Sequence, residues 1–170
     1  MNQMQHFAPP QREVDSTVFT TAGWMRGKFV VPNTRRFVEF ANHPDDFFKL
    51  RDVQLPSVAG RAEFFALQRD SVVFIVPSDR QERSEIRTLS GDRSERDVSC
   101  AIESGLVSGI LYVPTGLRVS DYLIQRRRFF ELYDCEYIVR GGEHFQRSEN
   151  VPLVLVNANR IIGVSEPRVR

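Results

Sequence analysis

The chain has 170 residues, and its 23 basic and 22 acidic side chains give a formal net charge of +1. Hydrophobic residues make up 41% and charged residues 26%, proportions that exclude a disordered, collagenous or disulfide-stapled protein. The length suffices for one domain or two small ones, and the balanced charge provides no global positive field to attract nucleic acid.

The N-terminal segment and the cysteines indicate the cellular compartment. The segment MNQMQHFAPP is polar and lacks the apolar centre of a signal peptide. No apolar run approaches the ~20 residues of a transmembrane helix, so no transmembrane segment is expected. Cys100 and Cys135 are too far apart for a CxxC motif or a zinc ribbon, and both lie in apolar, strand-like contexts. We therefore expect a cytoplasmic protein, either free or at the periphery of a membrane complex.

An internal repeat organises the chain. Residues 15–53 match residues 97–135 without gaps at an offset of 82 residues, with ten identities. The pairs that define the repeat include Gly23 and Gly105, Gly27 and Gly109, Pro32 and Pro114, Arg36 and Arg118, and Asp52 and Asp134. We interpret residues 1–11 as an N-terminal tail, 12–93 as a first β repeat, and 94–170 as a second β repeat with a short C-terminal tail.

Each copy opens with a strand-rich stretch, residues 16–32 and 98–114, which contains two glycines four positions apart. Glycine within a strand pattern indicates a bulge, a bend or a close backbone approach, which lets a long strand curl around a small barrel. The Val-Pro pair that follows ends the strand. A short helix comes next in each copy, and Ser120 or Thr115 is predicted to cap the second one.

Further strands complete each unit. The segments FFKLRDVQL and FFELYDCEYIV alternate apolar and polar residues, and Arg140-Gly141-Gly142-Glu143 predicts a hairpin. Asn157-Ala158-Asn159 is a predicted turn that returns Ile161 and Ile162 to the core, and residues 90–96 are the predicted link between copies. The predicted fold is mainly β with a minor α content: two tandem antiparallel β-barrels or half-barrels, each with one short helix.

The residues that carry chemistry do not form a known catalytic pattern. The three histidines lack metal-ligand spacing, and the GxSxG, Walker A and GxGxxG motifs are absent from the sequence. Two acidic pairs, Asp15 with Asp97 and Asp52 with Asp134, occur in both copies and are either paired carboxylates or, more simply, turn-capping residues. We predict no enzyme activity, no catalytic residue, no metal and no cofactor.

The preferred hypothesis is a non-enzymatic interaction or accessory subunit of a larger multi-protein assembly, either free or docked on a membrane-associated complex. It depends on the repeat, on the 13 phenylalanines and on the excess of arginine over lysine, which is typical of interfaces. The predicted partners are other protein subunits. The predicted contact residues lie in the two tails and the basic run: Met4, Phe7, Pro9, Pro10, Arg126, Arg127, Arg128, Pro167, Arg168 and Arg170.

Two alternatives remain open. Arg126-Arg127-Arg128 followed by two phenylalanines could bind RNA or another single-stranded nucleic acid, although the same arginines also suit a helix C-terminus. Arg83 and Arg87, followed by Asp97 and Ser99, resemble the RxxxR and DxSxxG signature of PilZ domains. That resemblance implies a β-barrel that senses a cyclic dinucleotide. Ile102 stands where that family has its glycine, which would obstruct backbone approach to the ligand.

A second resemblance covers more of the chain. The pattern VPTGLRVSDYL, FFELYDC and LVLVNANRIIGV, best developed in residues 108–165, resembles an uncharacterised bacterial β-rich domain family. The pattern is weaker in the first repeat, where Asn33-Thr34-Arg35 replaces Thr115-Gly116-Leu117. The resemblance implies a β-rich fold and brings no activity, substrate or site residues.

Overall fold

A computed structural model describes residues 10–55, 59–78, 92–125 and 128–167. The first half of this part of the chain contains β1 (Gln11–Thr20), β2 (Gly23–Pro32), α1 (Phe37–Ala41), β3 (Phe47–Gln54), β4 (Arg61–Gln68), a 3-10 turn (Arg69–Ser71) and β5 (Val72–Pro77). The second half contains β6 (Arg93–Ile102), β7 (Gly105–Pro114), α2 (Val119–Ile124), β8 (Phe129–Gly141), β9 (His144–Asn157), a 3-10 turn (Ala158–Arg160) and β10 (Ile161–Ser165).

The ten strands form a single open antiparallel sheet in the order β10-β6-β7-β8-β9-β5-β1-β2-β3-β4. The mainly β class predicted from the sequence is confirmed, with two short α-helices. The sheet runs continuously from the second half into the first through the pairing of β5 with β9. Two separate barrels are therefore not what the described residues form, because the predicted units join edge to edge.

Each strand-rich opening stretch is a hairpin, not one long curled strand as the sequence predicted. β1 pairs with β2 and β6 with β7 along their whole lengths, and Gly23 and Gly105 start the returning strands with positive φ. The second glycine of each stretch lies where the sheet register shifts against the next strand, opposite an aspartate with positive φ. These aspartates are Asp52 and Asp134, with φ of 52° and 47°. The repeated Gly and Asp positions thus form two bulges, which bend the sheet.

The helices follow the predicted positions, but their capping differs. Arg118 occupies the N-cap position of α2 in extended conformation without a side-chain capping bond, so neither Ser120 nor Thr115 caps this helix. At α1, the backbone N–H of Arg36 donates to the carboxylate of Glu39 over 3.2 Å. The Val-Pro pairs end β2 and β7 as predicted.

Two further details of the sequence prediction are wrong. Residues 93–96 belong to β6 and pair with β7, so this part of the predicted link at residues 90–96 is a strand. Ile162 is 73% exposed on the edge strand β10, and only Ile161 packs against the core. The turn before it forms as predicted, because the side chain of Asn157 accepts a hydrogen bond from the backbone of Asn159 over 3.0 Å.

The core consists of two hydrophobic clusters, and each includes side chains from both halves. Along β9, Leu153 and Leu155 enter the cluster built mainly by the first half, whereas Val154 and Val156 enter the other. Successive side chains of a strand point to opposite faces, so β9 is buried on both. Phe74 of β5 lies in the cluster built mainly by the second half. The strands at the centre of the sheet therefore hold the two halves together.

Both halves have the same order of elements, and the corresponding pairs of strands have the same register. Thr17, Val18 and Phe19 of β1 face Val76, Ile75 and Phe74 of β5. Ser99, Cys100 and Ala101 of β6 face Ser165, Val164 and Gly163 of β10. Positions up to β3 and β8 correspond at an offset of 82 residues, and positions from the C-terminal part of β4 and β9 onward at 89 residues. We call residues related in this way counterparts.

Candidate interaction surface: the central junction and the two sheet edges

The central junction is the contact between β5 and β9, where Phe74 faces Val156 and Ile75 faces Leu155. All four side chains are fully buried. They alternate between the two faces of the sheet, so apolar burial occurs on both sides of the backbone hydrogen bonds. The junction therefore combines backbone pairing with burial in both clusters.

Two asparagines form hydrogen bonds between the halves, one at the central junction and one beside it. The buried Asn157 amide at the end of β9 donates to the carbonyl of Val72 over 2.7 Å and to that of Arg69 over 3.4 Å. Asn42, just after α1, donates to the carbonyl of Phe129 over 2.8 Å and accepts from its backbone N–H over 2.8 Å. An asparagine side chain can offer both a donor and an acceptor, which is what an unpaired peptide group at a strand end requires.

Arg69 is the most unusual residue at the junction, with a side chain only 1% exposed. Its guanidinium donates to the carbonyls of Phe40 over 3.1 Å and Ala41 over 2.5 Å, at the C-terminal end of α1. It also lies 3.9 Å from the centre of the Phe48 ring. Burial lowers the pKa of Arg69 to about 10, and nearby acidic side chains oppose that shift. Sequence reasoning missed Arg69, since nothing local distinguishes it from a surface arginine.

Ion pairs add charge complementarity between the halves. Arg36 of the first half lies 3.0 Å from the Glu131 carboxylate of the second. Arg128 lies 3.8 Å from the carboxylate of Asp70. Both contacts are partly exposed, so each stabilises the junction by about 1 kcal/mol or less.

The outer strands, β4 and β10, each have one edge without a strand partner in the described part of the chain. Both present large apolar side chains to solvent: Phe64 of β4 is 60% exposed and Ile162 of β10 is 73% exposed. Phe47 lies beside β4 and is also exposed, as is Ile124 at the end of α2, a helix that shares a cleft with β10. Unprotected apolar edges are unusual in soluble proteins and mark interaction sites.

The structure places few of the contact residues predicted from the tails and the basic run. Met4, Phe7, Pro9, Arg126, Arg127, Arg168 and Arg170 lie outside the described residues. Pro10 is exposed, and its carbonyl accepts a hydrogen bond from the backbone of Asn33 over 2.9 Å. Pro167 is exposed beside a cleft that Asp97 also lines. Arg128 faces the central junction through its contact with Asp70. Arg83 and Arg87 of the PilZ-like pattern lie outside the described residues.

The repeated aspartates do not cap turns. Asp15 and Asp97 lie within β1 and β6 with exposed side chains. Asp52 receives two hydrogen bonds from the Arg61 guanidinium, the shorter at 2.8 Å, whereas Asp134 occupies the equivalent bulge of β8. Their shared role is the bulge conformation, because Asp tolerates positive φ better than most residues do.

The two cysteines are buried and free, at the centre of the second cluster. Burial raises the pKa of Cys100 to about 12 and raises that of Cys135 as well. A thiol whose pKa is raised in this way holds little thiolate near neutral pH, so neither cysteine is suited to act as a nucleophile.

This shift predicts a pH dependence of stability. Since the folded state raises the pKa of Cys100 above its ordinary value of 9.0, the unfolded thiol ionises first as pH increases. The free energy of unfolding is therefore constant in this respect below pH 9.0 and falls between pH 9.0 and about 12. Cys100→Val introduces the side chain of the counterpart Val18. When urea unfolding is measured at several pH values between 9.0 and about 12, the free energy of unfolding of this variant should fall less steeply with pH than that of the wild type, by up to about 1.4 kcal/mol per pH unit. Equal slopes for the two proteins would contradict the assignment.

No protein-family model, curated protein or solved structure matches the chain. Among the described residues, neither helix has the length and apolar character needed to cross a lipid bilayer. The same residues contain no group of three or more His, Cys, Asp or Glu side chains placed to hold a metal ion.

Proposed function

We propose that this protein is a non-enzymatic interaction subunit of a multi-protein assembly, and that it binds its neighbours through the two edges of its sheet. One observation carries the proposal: the large apolar side chains Phe64 and Ile162 are exposed on edges that have no strand partner in the described part of the chain. Covering them removes apolar surface from water while it satisfies the free N–H and C=O groups of the edge strands.

We further infer that the two halves are copies of one unit. The recurrence of the element order, of the strand registers and of the two bulges supports this inference. When two such units join through β5 and β9, the counterparts of these two strands, β10 and β4, are left at the outside of the sheet in the described part of the chain. That arrangement suits a building block in an assembly.

The test is the size of the native protein in extracts of the cells that make it. The wild-type chain is expected to elute well above its 19.6 kDa monomer mass, together with stoichiometric protein partners. A double variant, Phe64→Lys with Ile162→Lys, is expected to elute as a smaller species, because a charge at each edge opposes burial. Phe145→Lys is the matched control, since Phe145 is exposed on the β8–β9 hairpin away from both edges. Elution of the wild-type chain as a free monomer would overturn the proposal.

A further inference from the structure

The central junction provides a template for what the free edges bind. It joins β5 of the first half to β9 of the second half. The counterpart of β5 is β10, and the counterpart of the C-terminal part of β9 is β4. The two strands left unpaired in the described part of the chain are therefore the same two kinds of strand that pair at its centre.

We propose that β10 of one molecule pairs with β4 of a second copy of this chain, in the register of the central junction. This inference rests on the proposed function and names the partner at the edges. Phe74 faces Val156 and Ile75 faces Leu155 at the junction, so the counterpart register places Gly163 against Leu67 and Val164 against Ala66 of the second copy. The strands run antiparallel, as they do in the rest of the sheet.

Burial supports this pairing. Phe64 is 60% exposed, whereas its counterpart Leu153 at the junction is 2% exposed. Ile162 is 73% exposed, whereas its counterpart Val73 is 7% exposed. Phe64 and Ile162 are therefore large apolar side chains at positions whose counterparts are buried, whereas the counterparts of Phe74 and Leu155 are the small residues Gly163 and Ala66. A second copy in the same register would bury Phe64 and Ile162 in the same way.

A second contact between the halves, between the end of α1 and the start of β8, lies beside the paired strands, and its counterpart residues are apolar. There, Asn42 binds the backbone of Phe129. Their counterparts are Ile124 and Phe47, which are both exposed large hydrophobic side chains. These asparagine-to-peptide hydrogen bonds would thus be replaced by an apolar contact between α2 of one copy and the start of β3 of the other.

Neither ion pair of the junction is repeated between copies. The counterparts of the ion pair between Arg36 and Glu131 are Arg118 and Lys49, which are both basic and both exposed. The contact between copies therefore depends on backbone pairing and apolar burial, without either ion pair. Because each copy uses a different edge, the contact is heterologous, and its repetition closes a ring or continues as a filament.

The first experiment measures the mass of purified protein in solution by light scattering. Wild-type protein is expected to have the mass of two or more copies of the 19.6 kDa chain. Phe64→Lys blocks the β4 edge and Ile162→Lys blocks the β10 edge, so each variant alone should be monomeric. An equal mixture of the two should form a heterodimer, because one intact edge of each kind remains. Phe145→Lys should behave as wild type, and a cooperative urea unfolding transition of each monomeric variant shows that it folds.

A disulfide experiment tests the register. Ala66→Cys protein mixed with Val164→Cys protein is expected to form a disulfide-linked heterodimer, because directly paired residues bring Cα atoms within bonding range. Glu63→Cys mixed with Val164→Cys should not, since the two positions are three residues out of register, about 10 Å apart. In the double variant Ala66→Cys with Val164→Cys, covalent oligomers support pairing between copies, and an internally linked monomer overturns it.

The outcomes separate this inference from the proposed function. Purified wild-type protein that stays monomeric up to millimolar concentration overturns the pairing of copies. If the edge variants nevertheless lose protein partners in cell extracts, the edges bind a different protein and the proposed function stands. Failure of the mixed variants to associate, with wild type oligomeric, shows that the copies meet through another surface and also overturns the inference.

Discussion

Replacing Arg69 by alanine is expected to lower the free energy of unfolding by about 3 to 4 kcal/mol, as measured by urea unfolding. The guanidinium satisfies the carbonyls of Phe40 and Ala41, and it packs on the ring of Phe48. Its removal leaves two carbonyls without this donor and opens a cavity beside the Phe48 ring. The cost exceeds that of an exposed arginine because solvent cannot readily replace the lost donor.

Two further variants sharpen this prediction. Arg160→Ala removes a partly exposed arginine whose Nε donates to the carbonyl of Asp70 over 2.6 Å, and it should cost less than about 1 kcal/mol. Arg69→Lys keeps the charge but loses the planar group that stacks on Phe48 and reaches both carbonyls, so it should recover less than half of the loss. A loss in Arg69→Ala no larger than that in Arg160→Ala would show that the contacts of the buried guanidinium with α1 and Phe48 add little to stability.

The second large effect is expected at the bulge between β7 and β8. A Cβ atom on Gly109 would lie 2.8 Å from the Cys135 sulfur and 2.8 Å from the carbonyl oxygen of Tyr133. The backbone oxygen cannot move without breaking the pairing of β7 with β8, so Gly109→Ala should lower the free energy of unfolding by about 3 kcal/mol.

The chain contains matched controls for this substitution. At the counterpart Gly27, a Cβ would meet only side-chain ends within 3.4 Å, those of Val53 and Leu50, which can shift. Gly27→Ala should therefore cost less than Gly109→Ala. Gly163→Ala meets no atom within 4 Å and should be close to neutral. An equal loss in all three variants, measured by urea unfolding, would attribute the effect to glycine removal in general and not to the close approach.

Local patterns predicted most of the individual elements. The alternation of apolar and polar residues located β3 and β8, and Gly141-Gly142 located the hairpin after β8. These features depend on neighbours a few residues apart, so the sequence displays them directly. The predicted Ser or Thr cap of α2 was wrong because Arg118 occupies the N-cap position without a side-chain bond.

The candidate interaction surface was beyond the reach of such patterns. Phe47 and Phe129 are counterparts at the 82-residue offset, and each is followed by a second phenylalanine, yet Phe47 is 51% exposed and Phe129 is buried. The difference arises because β8 has β9 and the first half packed around it, whereas β3 lies next to the edge strand β4. Which of two equivalent strands becomes an edge depends on contacts far apart in the chain, and these leave no periodic signal.

Sequence patterns were sufficient to specify the mainly β class, the short helix of each half and the glycines at which the sheet bulges. Those properties follow from side-chain periodicity, from proline ending a strand, and from glycine at positions with unusual backbone geometry. Three features emerged from the folded chain alone: the halves share one open sheet, Arg69 and Asn157 are buried at their junction, and β4 and β10 are left as edges. Backbone hydrogen bonds between distant strands fix these features. Every residue except proline carries the same backbone donor and acceptor, so the sequence does not show which strands will pair.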